Sequence, residues 1–265
     1  MFNRIQKKIV SSYLRKKHNQ EYWDNLYRLS LNRMNYGPGS DCHNSGEKEV
    51  LKYIKGLFNP DEKLVVFDVG ANVGGYTNMV LDCLGGQAQV HAFEPSVYTF
   101  EILRKKVNSE FVTFNNIGCS DTTKAMILYS DTDGSGLTSI YNRKLDYYGI
   151  SMKECGQSQF IRIDDYCHEN NIEHIHLLKL DIEGHELFAL KGAKGMIDTK
   201  NIDFIQFEFG GCNIDSRTYF QDFYNFLHDK YEIYRILQKG LYKIDHYSNY
   251  EEIFITVNYL AILRQ

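Results

Sequence analysis

The chain lacks several features that would set it apart from ordinary globular proteins. No stretch approaches 18 apolar residues, so no segment is expected to span a membrane. The first residues lack the continuous apolar core of a secretory signal, and a cytoplasmic location is expected. There is no excess of positive charge: 30 Lys and Arg stand against 34 Asp and Glu, for a net charge of −4. That balance gives no whole-chain footprint for nucleic acid, and no nucleic-acid partner is expected. The six cysteines, Cys42, Cys83, Cys119, Cys155, Cys167 and Cys212, form no CxxC pair. Scattered in this way they read as reduced, small buried hydrophobes rather than a disulfide framework. Tryptophan occurs once, against 20 Tyr and 16 Phe, a supply of rings suited to lining a pocket.

Residues 1–35 differ in character from the rest of the chain. "MFNRIQKKIVSSYLRKK" carries six basic residues and no acid, with Phe2, Ile5, Ile9 and Tyr13 at helical spacing. One reading is a helix docked on the main domain with its lysines in water. The other is a basic amphipathic helix lying on an anionic membrane surface, which would make the protein peripheral to a membrane. "NYGPGSDCHNSG" (35–46) then reads as a loop. The expected organisation is a helical extension over 1–46 and one domain over 47–265.

Within that domain helices and strands alternate. Helical "EKEVLKYIKGLF" precedes strand "KLVVFDV", helix "GYTNMVLDCLGG" precedes strand "AQVHAFE", and helix "SVYTFEILRKKV" starts after Pro95 with Ser96 as N-cap. "FVTFNNIGCS" is a third strand, and residues 124–163 look irregular with strand-like ends. Strand "IHLLKLD", helix "HELFALKGAKGMI", strand "IDFIQFEF" and helix "RTYFQDFYNFLHDKY" come next, then "EIYRILQKGLYKI" and "EIFITVNYLAIL" as further strands. Such alternation implies an α/β fold, a doubly wound, mostly parallel sheet with an antiparallel edge.

"VVFDVGANVGGYT" (65–77) ends a β-branched run in an acid and then places three glycines within six residues. In an open parallel sheet ligands bind at the C-terminal strand ends, where the first loop must turn sharply and let backbone approach. Gly70, Ala71 and Asn72 form that turn, while Gly74 and Gly75 let the next helix pack close to the strand. The spacing is G-x-x-x-G rather than the dinucleotide G-x-G-x-x-G, with Asn72 in the place of the middle glycine. A nicotinamide-dependent dehydrogenase is thereby disfavoured, and the ligand has no pyrophosphate to cradle. Glu94 closes the second strand, placed to accept both hydroxyls of a ribose. Asp68 can meet a cationic amino group directly or through water. Ribose, amino acid and no phosphate together describe S-adenosyl-L-methionine. Ser120 and Asp121, after the third strand, are placed near the adenine, whose face Ile117 or the apolar residues after Glu94 would cover.

"FDVGANVGGYT", "HAFEPS", "LLKLDIEGHELFALKGA" and "IQFEFGG" together resemble the FkbM-type family of S-adenosylmethionine-dependent methyltransferases. The resemblance runs from about Leu64 to Tyr231 and does not cover residues 1–46. Its most distinctive block holds Lys179, Asp181, Glu183, Gly184 and Glu186. The resemblance implies a class I, Rossmann-like methyltransferase fold and transfer to oxygen, usually a hydroxyl of a sugar, polyketide or lipid-linked glycan. A non-catalytic module that keeps the fold and binds cofactor or partner is the main alternative.

Asp181 ends an otherwise apolar strand on the sheet edge that carries Asp68 and Glu94, facing the methionine end of the cofactor or the reacting hydroxyl. Methyl transfer to an alcohol needs alignment, exclusion of water and a group to take the proton. His185 is the first candidate base, since an ordinary imidazole titrates near neutrality. Asp181 and Glu208 are the alternatives. Asp181, Glu183 and Glu208 can also collect a divalent cation, though nothing in their spacing requires one, and no metal is expected. Glu183 and Glu186 fit the role of caps at a helix start. Cys167, His168, His174 and His176 match no zinc spacing and read as structural. "SDTDGSGLTS" (130–139) is long enough to form a lid over the site, with hydroxyls and acids that can read a polyol.

Overall fold

The structure, a computed structural model, describes residues 17–37 and 45–265. The basic stretch before Lys17 and the loop around Cys42 lie outside the described residues. Helix α1 (Lys17–Arg33) precedes α2 (Glu47–Lys55). Strand β1 (Leu64–Val69), helix α3 (Gly75–Leu84), β2 (Ala88–Phe93), α4 (Val97–Lys106) and β3 (Val112–Asn115) make the first parallel half. The second half runs through β7 (Ile175–Leu180), α6 (Glu186–Gly192), α7 (Lys194–Asp198) and β8 (Ile202–Phe209), which pairs parallel to β7. Helices α8 (Cys212–Ser216) and α9 (Phe220–Leu227) lead to β9 (Tyr231–Ile236), β10 (Leu241–Lys243) and β11 (Val257–Leu263).

The sheet order is β10-β9-β11-β8-β7-β1-β2-β3, with β11 antiparallel between β8 and β9. A mostly parallel sheet with an antiparallel insertion at one side is the class I methyltransferase architecture. It forms because both faces of each central strand are covered, so the strands are near-continuous apolar runs. Alternate residues serve opposite cores: Val66, Leu177, Phe204 and Leu260 pack on one face, Phe67, Leu178, Ile205 and Ala261 on the other.

The order of elements agrees with the sequence expectation, with four differences. "FVTFNNIGCS" divides between β3 and a two-residue β4 (Gly118–Cys119). The stretch expected to be irregular folds into β5 (Lys124–Ser130) and β6 (Lys153–Ile161), which join β4 in a separate three-stranded sheet. Helix α5 (Ile163–Glu169) is one turn too short to show a helical period in the sequence. The single helix expected over 185–197 breaks at Ala193 into α6 and α7. Ser96 does cap α4, accepting from the Thr99 N–H. The expected boundary at residue 46 is too late, because Leu31 and Tyr36 are buried in the main core. Asn35 also donates to the Ser45 and Ile236 carbonyls. No helix among the described residues is long and apolar enough to cross a membrane.

Candidate active site

Three polar residues interrupt the apolar strands in register. Asp68 on β1 lies beside Lys179 on β7, and Lys179 beside Gln206 on β8. All three are buried. A bare charge there would be expensive, so the row is paired throughout. The Lys179 ammonium is 3.2 Å from Asp68 Oδ1 and 3.5 Å from Asp181 Oδ2, and Thr77 Oγ1 donates to Asp68 Oδ2 at 2.6 Å. Gln206 donates to Glu47, which also accepts from Ser45. Burial lowers the Lys179 pKa, but Asp68, Asp181 and Glu47 outweigh it and hold the net value above the ordinary one, so the amine stays charged.

The structure places Asp68 in this row beneath the cavity. Its carboxylate is wholly buried and spent on Lys179 and Thr77, and it does not line the cavity above. Lys179 takes the place foreseen for a ligand's amino group. A lysine inside an apolar strand was the signal that could have shown this.

Above the row, at the C-terminal ends of β1, β2, β7 and β8, is a cavity of about 320 Å³. Gly70, Asn72, Glu94, Asp181, His185 and Glu208 line it, so the structure brings together most of the residues expected to form the site. Gly70 has φ +82°, and a Cβ there would collide with the Asp181 carbonyl oxygen, so only glycine lets the two loops meet. Gly74 has φ +90°, and a Cβ there would meet Leu103 of α4 and Val107, which follows it. Asn72 is in the left-handed region at φ 47°, which asparagine tolerates, and its N–H donates to Glu94 Oε2 at 3.0 Å. The Ser96 N–H donates to Glu94 Oε1 at 2.8 Å. The glycine turn therefore orients Glu94 at the rim, each of its oxygens retaining acceptor capacity. Burial pushes Glu94 up to about 7.

His185 lines the cavity but is held differently from the expectation. Nε2 meets Ser120 Oγ at 2.9 Å and Nδ1 meets Tyr141 Oη at 3.0 Å, with the ring stacked on Phe188. Burial lowers its pKa to about 4. A base with both nitrogens engaged and so low a pKa is poorly suited to take a proton at neutral pH. Ser120 is buried behind His185, its hydroxyl shared with His185 and Asp121, and neither Ser120 nor Asp121 lines the cavity. Gly118, Cys119 and Pro95 line the wall there, while Ile117 packs on the core.

Glu208 is 7% exposed, lines the cavity and accepts no hydrogen bond among the described residues. Burial raises its pKa well above the ordinary value, reinforced by Asp181, Glu183 and Glu186. Glu183, at φ 54°, is ion-paired with Arg143, whose Nε lies 3.7 Å from Asp215 Oδ2. Donor atoms of Glu183, Glu208 and Cys212 come within 4.8 Å of one another. Glu186 is a buried cap, accepting from the Ile182 and Gly184 N–H groups, as the capping reading expects. His174 pairs with Asp203 at 2.8 Å, and His176 Nδ1 accepts from the Val65 N–H at 2.9 Å. The loop at 135–139 folds over the cavity, with the Ser139 hydroxyl donating to the Glu183 carbonyl. Sequence reasoning missed Arg143 and Tyr141, which lie in coil where no periodicity marks them.

Residues 68–240 match the model of the methyltransferase FkbM domain. The hexuronic acid methyltransferase AglP of Haloferax volcanii is 25% identical over 169 residues, 62% of this chain and 64% of that protein. The chain thus matches a little under two thirds of this relative's length. Among solved structures, a putative rRNA methylase from Clostridium thermocellum superposes with TM-score 0.43 at 12% identity, covering 83% of this chain and 97% of that one. The METTL16 methyltransferase domain gives 0.45 at 9% identity, covering 83% and 67%. The family match sets aside the dehydrogenase reading and supports catalysis over a non-catalytic module. The chain belongs to the FkbM methyltransferase family.

Proposed function

We propose that this methyltransferase acts on oxygen, transferring to a hydroxyl of a sugar in a glycan or glycolipid precursor. The observation that carries the reading is Glu208, a buried carboxylate that accepts no hydrogen bond among the described residues and lines a cavity rich in acids. S-adenosylmethionine, when bound, supplies an electrophilic methyl on a sulfonium. The residues fit that group: Glu94, Asp181 and Glu208 face the cavity, while the nearby cations are already committed, Arg143 to Glu183 and Asp215 and the buried Lys179 to Asp68 and Asp181. A cation supplies the charge such a wall lacks.

In this reading Glu94 receives the ribose hydroxyls, and Asn72 with Ser96 keeps its carboxylate oriented. The Gly70 turn gives the ligand room against backbone. Asp181 bounds the methionine side, its position set by Lys179. Glu208 would accept a hydrogen bond from the acceptor hydroxyl and take its proton during transfer. Burial and the neighbouring acids raise its pKa, so once transferred the proton is held better than on an ordinary carboxylate. The 135–139 loop excludes water, and the Ser135 and Thr138 hydroxyls can bind neighbouring sugar hydroxyls.

The same acids favour a neutral hydroxyl over a carboxylate as acceptor, because a second anion would face Asp181, Glu183 and Glu208 together. The relative named for a hexuronic acid supports a sugar as the acceptor. The test is incubation with labelled S-adenosylmethionine and cell-surface glycan extracts, then mass spectrometry of the product. A sugar methyl ether supports the reading. Label found only as a methyl ester, or on protein or nucleic acid, contradicts it.

A further inference from the structure

Helix α1 stands away from the domain. Every residue from 19 to 30 is exposed, and burial begins only at Leu31. At 100° per residue, Tyr22, Trp23, Leu26, Tyr27 and Leu29 fall on one half of the helix, and Glu21, Asp24, Asn25 and Arg28 on the other. The apolar half is open: Trp23 is 57% exposed and Leu29 54%. A helix of 17 residues gains little stability from its own hydrogen bonds in water, and an apolar half of this kind is stable when covered.

The charge of the chain indicates what covers it. Residues 1–17 hold Arg4, Lys7, Lys8, Arg15, Lys16 and Lys17 without one acid, in a protein of net charge −4. Positive charge is therefore concentrated directly before the exposed rings. Trp and Tyr favour the boundary between water and acyl chains, where the ring is dry and its polar atom wet. Lysines and arginines next to such a face gain from anionic headgroups. A second copy on the same face would bring the same cationic excess and no counter-charge.

We propose that α1 seats the chain on an anionic bilayer surface, with Trp23 and its neighbours at the level of the headgroups. The proposal does not depend on the acceptor or on the base. Trp23 is the chain's only tryptophan, so its emission reports on this face alone. The full-length protein is titrated with vesicles of phosphatidylcholine, and with vesicles in which roughly one third is phosphatidylglycerol.

A blue shift with co-sedimentation on the anionic vesicles only, reversed at about 0.5 M salt, is the expected result. Replacing Lys7→Gln, Lys8→Gln and Lys16→Gln together should weaken partitioning roughly a hundredfold. Leu26→Ser with Leu29→Ser should abolish the shift while donor binding in the cavity shows the domain intact. Unmoved emission, an equal shift on neutral vesicles, or a vesicle-free shift that tracks protein concentration would each overturn the proposal, the last assigning the face to a second copy.

Discussion

Lys179 and Asp68 sit side by side in the register of β7 and β1, their charged atoms 3.2 Å apart and both side chains buried. The ammonium also reaches Asp181 at 3.5 Å, so one cation fixes the acids at the ends of two neighbouring strands. Removing one partner of such a pair leaves the other buried and uncompensated. Lys179→Met should cost ~3–5 kcal/mol in urea denaturation, and adding Asp68→Asn should recover part of that loss. A single substitution costing under ~1 kcal/mol would show that the pair does not organise the rim.

Glu94 titrates near 7 because burial disfavours its charge. Only the ionised form offers both oxygens as acceptors to the two hydroxyls and attracts the sulfonium. Affinity for S-adenosylmethionine should therefore rise from pH 6 to pH 8, with the main increase around 7. Glu94→Gln should bind about 10–100-fold more weakly, with that rise flattened. Isothermal titration across the range checks both expectations, and a Gln variant of unchanged affinity would move the ribose elsewhere.

The roles of Glu208 and His185 separate in kinetics. Glu208→Gln keeps the shape of the cavity but cannot take a proton, so kcat should fall about 10²–10⁴-fold, with a much smaller loss of donor affinity. His185→Ala should lose less, because its ring packs on Phe188 and bonds to Ser120 and Tyr141 rather than to the acceptor. It should also retain the rising limb of the pH–rate profile. If that limb disappears in His185→Ala and survives in Glu208→Gln, the base is the histidine.

Acid should destabilise the fold through its buried histidines. His185 and His91 are both pushed down to about 4 by burial, against 6.5 in an unfolded chain. Between those values the unfolded state binds more protons, so each costs up to ~3 kcal/mol as pH falls from 6.5 to 4. The buried acids act in the opposite sense. Glu47 near 6 and Glu186 near 7 favour the folded state when protonated, and that contribution is lost as pH rises past 4.5. Stability of His185→Gln relative to the unsubstituted chain should therefore improve on going from pH 7 to pH 4.5. A difference that does not change with pH would show that the ring is not held neutral.

The sheet was legible because its strands are buried on both faces and appear as apolar runs ending in Asp68, Glu94, Asp181 and Phe209. The glycine turn was legible because Gly70 has no substitute against the Asp181 carbonyl. What escaped was long-range pairing. Strands β5 and β6 lie 22 residues apart, and their exposed side carries no periodic signal strong enough to mark a second sheet. The role of Lys179 escaped for a related reason. Its spacing from Asp181 is visible in one strand, but its partnership with Asp68 exists only after β1 and β7 pair. The surroundings of His185 were not legible either, because the ordinary pKa of a histidine says nothing about two hydroxyls that fold onto its nitrogens.

The most direct test is a crystal structure of the chain with S-adenosylhomocysteine. The ribose hydroxyls should rest on Glu94 above the Gly70 turn, and the sulfur should point toward the open side of Glu208 and Asp181. A nucleoside bound away from Glu94, or a sulfur facing away from Glu208, would contradict this assignment of the site.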